Sequence, residues 1–325
     1  MLSKLQIAER ILSLESFHGA PELVNEVWEH QYGNNAVLRE FVQQLHLKDV
    51  SGKHPVYLPV ELFKHHRVSC EPLEELIFKS SGTTGQVRSM HAVANASWYE
   101  RVSRIHFERC YGPLNDWVIL ALLPSYQENG DSSLVYMVDH FIQYAKEGSG
   151  FVLHDPSRLA ALLAELRSLK QKTLLFGVSY ALLDVAEQQR ISFPELTIME
   201  TGGMKGRRAE LTRSALHEAI RNGFPDATIN SEYGMTELLS QAYALDGKWF
   251  TPPPWFRAVT VDISDPLQVL ETGRRGLLAF TDLGNLDSCA FIQTKDIGLV
   301  DEHGRFQVEG RMDNSDLRGC NLLYV

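Results

Sequence analysis

The sequence is short of the features that mark secreted, metal-stapled or membrane-embedded chains. Four cysteines occur in 325 residues, Cys70, Cys110, Cys289 and Cys320, and none stands in C-x-x-C spacing, so neither a disulfide framework nor a zinc cluster is indicated. No run approaches the ~18 consecutive apolar residues of a membrane span. The opening "MLSKLQIAERILSLE" alternates charge with apolar residues at helical spacing and lacks the apolar core of a signal peptide. Both observations lead to the expectation of a cytoplasmic chain with free thiols. Positive charge is also scarce: 31 basic residues against 41 acidic ones leave a net charge of −10 with no compensating basic run, which argues against a general nucleic-acid binder. The twelve histidines include no H-x-x-x-H pair beside a carboxylate, and His65 with His66 lies in a charged stretch that reads as solvated. No internal repeat or low-complexity segment is found.

What is present is an ordinary globular composition, 44% hydrophobic and 22% charged, in a chain long enough to bury a large core. Residues 1–70 read as a helical lead-in, with Leu23, Val27, Leu38, Phe41, Val42 and Leu45 at three- and four-residue spacings. Over 71–255, apolar runs such as "WVILALL", "TLLFGV" and "LTIME" alternate with the amphipathic patterns "SRLAALLAELRSLKQK" and "RRAELTRSALHEAIRNG". That rhythm predicts an α/β core, a mostly parallel sheet flanked by helices. After "TPPPW" the pattern changes to short strands with turns, so 256–325 is expected to be a small antiparallel β section. The whole is expected to form a single domain.

In an α/β sheet, ligands collect beyond the carboxyl ends of the strands. Four loops are candidates: "SSGTTGQ" after Phe78, "LPSYQENGDSS" after Leu123, "TGGMKGRR" after Glu200 and "SEYGMTE" after Asn230. In the first, Gly82 and Gly85 permit a tight loop. Ser80, Ser81, Thr83 and Thr84 supply hydroxyls, and Arg88 can add a fixed positive charge, which together suit phosphate oxygens. The spacing is not that of a P-loop. Taken alone, the segment is also compatible with an exposed polar loop.

In order along about three quarters of the chain, these motifs resemble the adenylate-forming superfamily of acyl-CoA and aryl synthetases, adenylation domains and firefly-type luciferases. The resemblance implies the N-terminal-domain fold of those enzymes, with ATP and Mg²⁺ as cofactors. It makes "SSGTTGQVR" the phosphate loop, with Arg88 near the place of a usual lysine. "SEYGMTE" becomes the loop in which Glu232, Tyr233 and Gly234 border the nucleotide, Tyr233 packing on adenine, while Thr236 contacts phosphate and Glu237 holds the metal. "TKDIG" and "EGRMDNSDLRG" give Asp296 and Arg311 as ribose contacts and Asp313 as the hinge. Gly202 and Gly203 let the backbone pass close to the nucleotide or the acyl carbonyl. Lys205 opens a basic cluster with Arg207 and Arg208, of which only Lys205 is taken as a candidate.

Within that superfamily, "LPSYQENGDSSLVYMVDHF", "ETGGMKGRR" and "DLRGCNLLYV" are most similar to the acyl-protein synthetases of the bacterial luciferase fatty-acid reductase complex. That likeness implies ATP-dependent activation of a fatty acid and an acyl group carried on a cysteine, here Cys320, with Arg318 near enough to lower its pKa. The final acceptor implied is a thiol on this chain, an acyl carrier protein, a reductase subunit or coenzyme A. The larger synthetases continue past the hinge into a lid domain with a catalytic lysine. This sequence stops about a dozen residues after Asp313, so the lid is expected to be absent; either another group such as Lys205 or Arg88 neutralises the developing charge, or the reaction runs more slowly or needs a partner. The acyl pocket is expected beneath the second and third loops, near Leu123, Tyr126 and Phe176. Two readings from other classes compete. Ser179, in G-x-S-x-A between a strand and a helix, resembles a serine-hydrolase nucleophile. A non-catalytic acyl-binding subunit would keep the fold without turnover.

Overall fold

A computed structural model describes residues 3–47, 50–81, 87–125, 128–153, 155–202 and 211–312. Its N-terminal part contains α1 (Lys4–Leu12), α2 (Pro21–Asn34) and α3 (Ala36–Gln44). Ser3 closes a capping box on α1, and the Asn35 side chain accepts the Leu38 N–H where α2 gives way to α3, each satisfying a donor that the helix start leaves open. The helices bury Ile7, Ile11, Leu23, Val27, Leu38 and Val42, the stripe expected from their spacing.

After β1 (Leu58–Pro59) come the hairpin strands β2 (Leu76–Lys79) and β3 (Met90–Val93), then α4 (Ala96–Tyr111), β4 (Val118–Leu122), α5 (Ser133–Tyr144), β5 (Gly150–Phe151) and α6 (Pro156–Ser168). The core continues with β6 (Thr173–Val178), α7 (Ser179–Gln188), β7 (Leu196–Thr201), α8 (Arg213–Gly223), β8 (Thr228–Tyr233) and β9 (Ala242–Ala244). Six strands form one sheet in the order β5-β4-β6-β7-β8-β9, parallel except for β9. β4 and β6 are buried along their whole length, as continuous apolar strands covered on both faces must be. Gly223 allows α8 to close on α7: a Cβ there would lie 2.5 Å from Ala186 Cα.

The second sheet holds β10 (Phe256–Val261), β11 (Gly276–Asp282), β12 (Phe291–Val300) and β13 (Phe306–Arg311), with β1 added in parallel to β12. Its other pairings are antiparallel, in agreement with the change of pattern after "TPPPW". The fold is thus the mixed α/β arrangement expected. The two sheets meet where Tyr233, at the end of β8, packs its ring on Phe250, Phe280 and Phe306 at centroid distances of 5.6, 5.5 and 5.2 Å.

One expectation about placement is corrected. The first candidate loop does not leave a strand of the parallel sheet, because β2 pairs only with β3 in a separate two-stranded unit. The other three loops do follow β4, β7 and β8. Among the described residues no helix is long and apolar enough to cross a membrane.

Candidate active site

The hairpin reaches the sheet edge through one main-chain hydrogen bond and side-chain contacts instead of strand pairing. Lys79 N–H donates to Asp131 O at 2.7 Å, which fixes the end of β2 against the loop after β4. Arg88 donates to both Asp131 carboxylate oxygens, at 3.2 and 3.4 Å, and to the carbonyls of Ser80 and Lys79. These bonds pull the Asp131 carboxyl below its usual range, against a desolvation that pushes it up. In this structure Arg88 ties the base of the loop, which differs from the expected reach into its concavity. Ser80 adds a second tie: its Oγ accepts the Ser89 N–H at 2.9 Å and its N–H donates to Ser89 O at 3.0 Å. Ser81 is exposed. Gly82, Thr83, Thr84 and Gly85 lie outside the described residues.

On its other side the hairpin holds the turn after β8. His91 Nδ1 lies 2.7 Å from Thr236 O, so Nδ1 carries the proton. Burial lowers the His91 pKa to about 4, and the ring is a neutral donor. Ser89 hydrogen-bonds the Glu237 carboxylate, and Asn285 Nδ2 donates to Glu237 O at 2.8 Å. Residues 234–240 contain a turn at 236–237 and no helix. The position of Glu237 is set from three directions, by β3, by the turn itself and by the segment after β11. A Cβ at position 234 would lie 2.4 Å from Glu232 Oε1, the end of a buried side chain that would have to shift.

Tyr233 OH donates to Asp296 Oδ2 at 2.7 Å. Asp296, on β12, faces Arg311 across the ladder, with Arg311 Nε 3.8 Å from Asp296 Oδ1. The Asp296 side chain is 12% exposed and that of Arg311 63%, so the arginine is free to meet a ligand while the aspartate is held. Burial raises the pKa of Asp296 and of Glu237, and Arg311 lowers both. Two buried carboxyls near one solvent-facing arginine are short of positive charge. Such a pair suits a divalent cation, which restores the ionised form and takes hard oxygen ligands. Glu237 therefore fits Mg²⁺. Among the described residues no group of three or more His, Cys, Asp or Glu residues forms a cage of protein ligands.

Glu232 departs from its expected role at the nucleotide. It is buried, accepts from Thr201 Oγ1, and has its pKa raised to about 7 by desolvation, with the nearby Glu200 adding to the rise. Tyr233 likewise has its ring enclosed by the three phenylalanines and its hydroxyl committed to Asp296. Gly202 sits at φ +66° directly after β7. Gly203, Lys205, Tyr126, Asp313 and Cys320 lie outside the described residues. Leu123 and Phe176 are buried in the core. A concavity of about 510 Å³ lined by Phe17, Val24, Tyr57, Arg257 and Thr281 contains none of the motif residues.

The serine-hydrolase geometry is not met. Ser179 starts α7 with a negative φ, whereas a nucleophile elbow is a strained turn that exposes its serine. It is 2% exposed, and its Oγ contacts Glu200 Oε1 and Gly202 O, with no imidazole beside it.

Comparison with known proteins agrees with this architecture. No protein-family model matches the chain. It is 24% identical over 305 residues to the long-chain-fatty-acid–luciferin-component ligase of Aliivibrio fischeri, an alignment covering 86% of this chain and 79% of that protein. Among solved structures it is similar to 2-hydroxyisobutyryl-CoA ligase in a postadenylation state, at 14% identity and TM-score 0.65, covering 93% of this chain and 70% of that one. It is also similar to O-succinylbenzoate coenzyme A synthetase (MenE) of Bacillus subtilis in complex with ATP and magnesium, at 19% identity and TM-score 0.51, covering 72% and 49%. The chain spans about half the length of MenE and of the ATP-bound MatB structures it matches. The fold is that of the N-terminal domain of adenylate-forming enzymes.

Proposed function

We propose that this chain, built on the fold of the adenylate-forming enzymes, activates a carboxylic acid with ATP to an acyl-adenylate and passes the acyl group to a thiol. The observation that carries the reading is the convergence of Glu237, Asp296 and Arg311 beside the turn after β8 and the β2–β3 hairpin. A scaffold has no use for two buried carboxyls at such a place. The likeness to a long-chain-fatty-acid ligase favours a fatty acid as substrate.

In the first step a carboxylate oxygen attacks the α-phosphorus, a new P–O bond forms, and the bond to the bridging oxygen breaks as pyrophosphate leaves with the electron pair. The protein has positioning and charge neutralisation to supply. In this reading Asp296 and Arg311 bind the ribose hydroxyls, Thr236 meets phosphate, and "SSGTTGQ" holds the β- and γ-phosphates. Glu237 would hold Mg²⁺, which when bound would offset the charge of the phosphates. In the second step a thiolate, Cys320 in the first instance, attacks the acyl carbonyl. AMP leaves, and the thiol proton goes to solvent.

The test is ATP–pyrophosphate exchange with a panel of fatty and aromatic acids, combined with intact-protein mass spectrometry of wild type and Cys320→Ala. Exchange together with a hydroxylamine-labile acyl adduct missing from the variant is the expected result. Exchange without an adduct moves the thiol to a partner such as a carrier protein, a reductase subunit or coenzyme A. No exchange with any acid overturns the enzyme reading in favour of an acyl-binding subunit.

A further inference from the structure

Beneath the loop after β7 lies a buried polar chain that the reaction does not use. Ser179 Oγ is 2.7 Å from Glu200 Oε1 and 2.5 Å from Gly202 O. Ser231 hydrogen-bonds Glu200, and His217 Nε2 is 3.0 Å from Ser231 Oγ. All four side chains are buried.

Counting protons fixes the direction of this chain. A carbonyl oxygen can only accept, so the single Ser179 hydroxyl proton points at Gly202 O. The 2.7 Å contact between Ser179 Oγ and Glu200 Oε1 then needs a proton from the carboxyl side. We propose that Glu200 is a positioning residue held in its protonated form, and that through Ser179 it fixes the carbonyl of Gly202 and so the start of the "TGG" loop. The inference rests on the proposed adenylation only for the use made of that loop.

The surroundings agree. From α8, His217 and Arg213 face Glu200; from β8, Ser231 does, with Glu232 near; from α7, Ser179. His217 is lowered to about 4 by burial and by Arg213 and Arg221, and so is neutral at physiological pH. Hydrogen bonds donated by the Ser179 and Ser231 hydroxyls and the charge of Arg213 would favour the Glu200 anion, but desolvation outweighs them and the carboxyl is shifted upward. Ionisation of Glu200 would turn the Ser179 proton toward the carboxylate and leave Gly202 O with no donor from Ser179. A glutamine amide reproduces the protonated arrangement, because its N–H₂ donates to Ser179 and its carbonyl accepts from Ser231.

Wild type is therefore expected to lose exchange activity toward alkaline pH, whereas Glu200→Gln should stay within about twofold of wild type at neutral pH and lack that decline. Glu200→Ala and Ser179→Ala should each lose about tenfold in kcat/KM at every pH, the effect of one unsatisfied buried acceptor. Infrared difference spectra of wild type minus Glu200→Gln at neutral pH give a readout independent of activity, and a protonated-carboxyl carbonyl band is expected. Absence of that band, or an unchanged alkaline decline in Glu200→Gln, overturns the inference. If wild type shows no exchange with any acid, the functional reading fails while the infrared band still decides the protonation of Glu200.

Discussion

Tyr233 and Asp296 join the two sheets of this protein through one hydrogen bond of 2.7 Å, from the last residue of a parallel strand to the middle of an antiparallel one. The bond holds a buried carboxylate beside an exposed arginine, so the ribose end of the proposed site has a fixed acceptor and a mobile cation.

Tyr233→Phe should leave Asp296 with one partner fewer in a buried setting. The expected cost is about 1–3 kcal/mol in stability, with weaker nucleotide binding. Calorimetric titration with a non-hydrolysable ATP analogue, read beside thermal melts, checks both. Unchanged nucleotide affinity would show that the ring and not the hydroxyl is what matters.

Glu237→Gln removes the carboxylate proposed to hold the metal while keeping its shape and the Ser89 contact. The Mg²⁺ concentration needed for half-maximal exchange should rise at least about tenfold, with little change in melting temperature. A variant with the wild-type Mg²⁺ requirement would assign the metal to other groups.

Burial raises the Cys110 thiol to about 11 and the Cys289 thiol to about 12, and pushes that of Cys70 up further. None of the three is a thiolate near neutral pH. Brief alkylation of the native protein should label Cys320 first, and Cys320→Ser should abolish the fast phase. Peptide mapping that finds rapid label at another cysteine would contradict this.

Acid should destabilise the fold through its histidines. Burial lowers His91 to about 4 and His106 to about 3, below the ordinary imidazole value of about 6.5. The unfolded chain therefore takes up protons first, and stability falls as pH drops below that value. The loss is roughly 3–5 kcal/mol per imidazole once the window is crossed. Urea unfolding of wild type and His106→Gln between neutral and acid pH measures it, and the variant should show a shallower decline.

Gly234→Ala forces a methyl group onto Glu232 Oε1, at 2.4 Å before any shift. Either the carboxyl or the turn carrying Thr236 must move, and exchange activity should fall by about tenfold or more. Wild-type activity in this variant would mean that the turn has slack.

Much of the core was legible because burial writes itself as continuous apolar runs: "TLLFGV" is β6 from first residue to last. Two helices left no such trace. The buried side of α4 is made of Trp98, Tyr99, Ser103 and His106 as well as aliphatic residues, so its stripe is disguised by polar atoms. The loop motifs named their residues but not their geometry. Arg88 was placed in the loop by its sequence distance, whereas its partner Asp131 lies 43 residues away. The same limit hid Glu200, whose partner Ser179 stands 21 residues earlier and was read by motif as a nucleophile. Side-chain pairs formed across the ends of different strands have no period to betray them.

The β2–β3 hairpin belongs to neither sheet and is moored by Asp131 on one flank and by Thr236 and Glu237 on the other. Lengthening or shortening its tip leaves every ladder of the two large sheets intact. The segment proposed to hold phosphate is thus carried on a unit outside both large sheets, while Asp296 stays where the second sheet holds it.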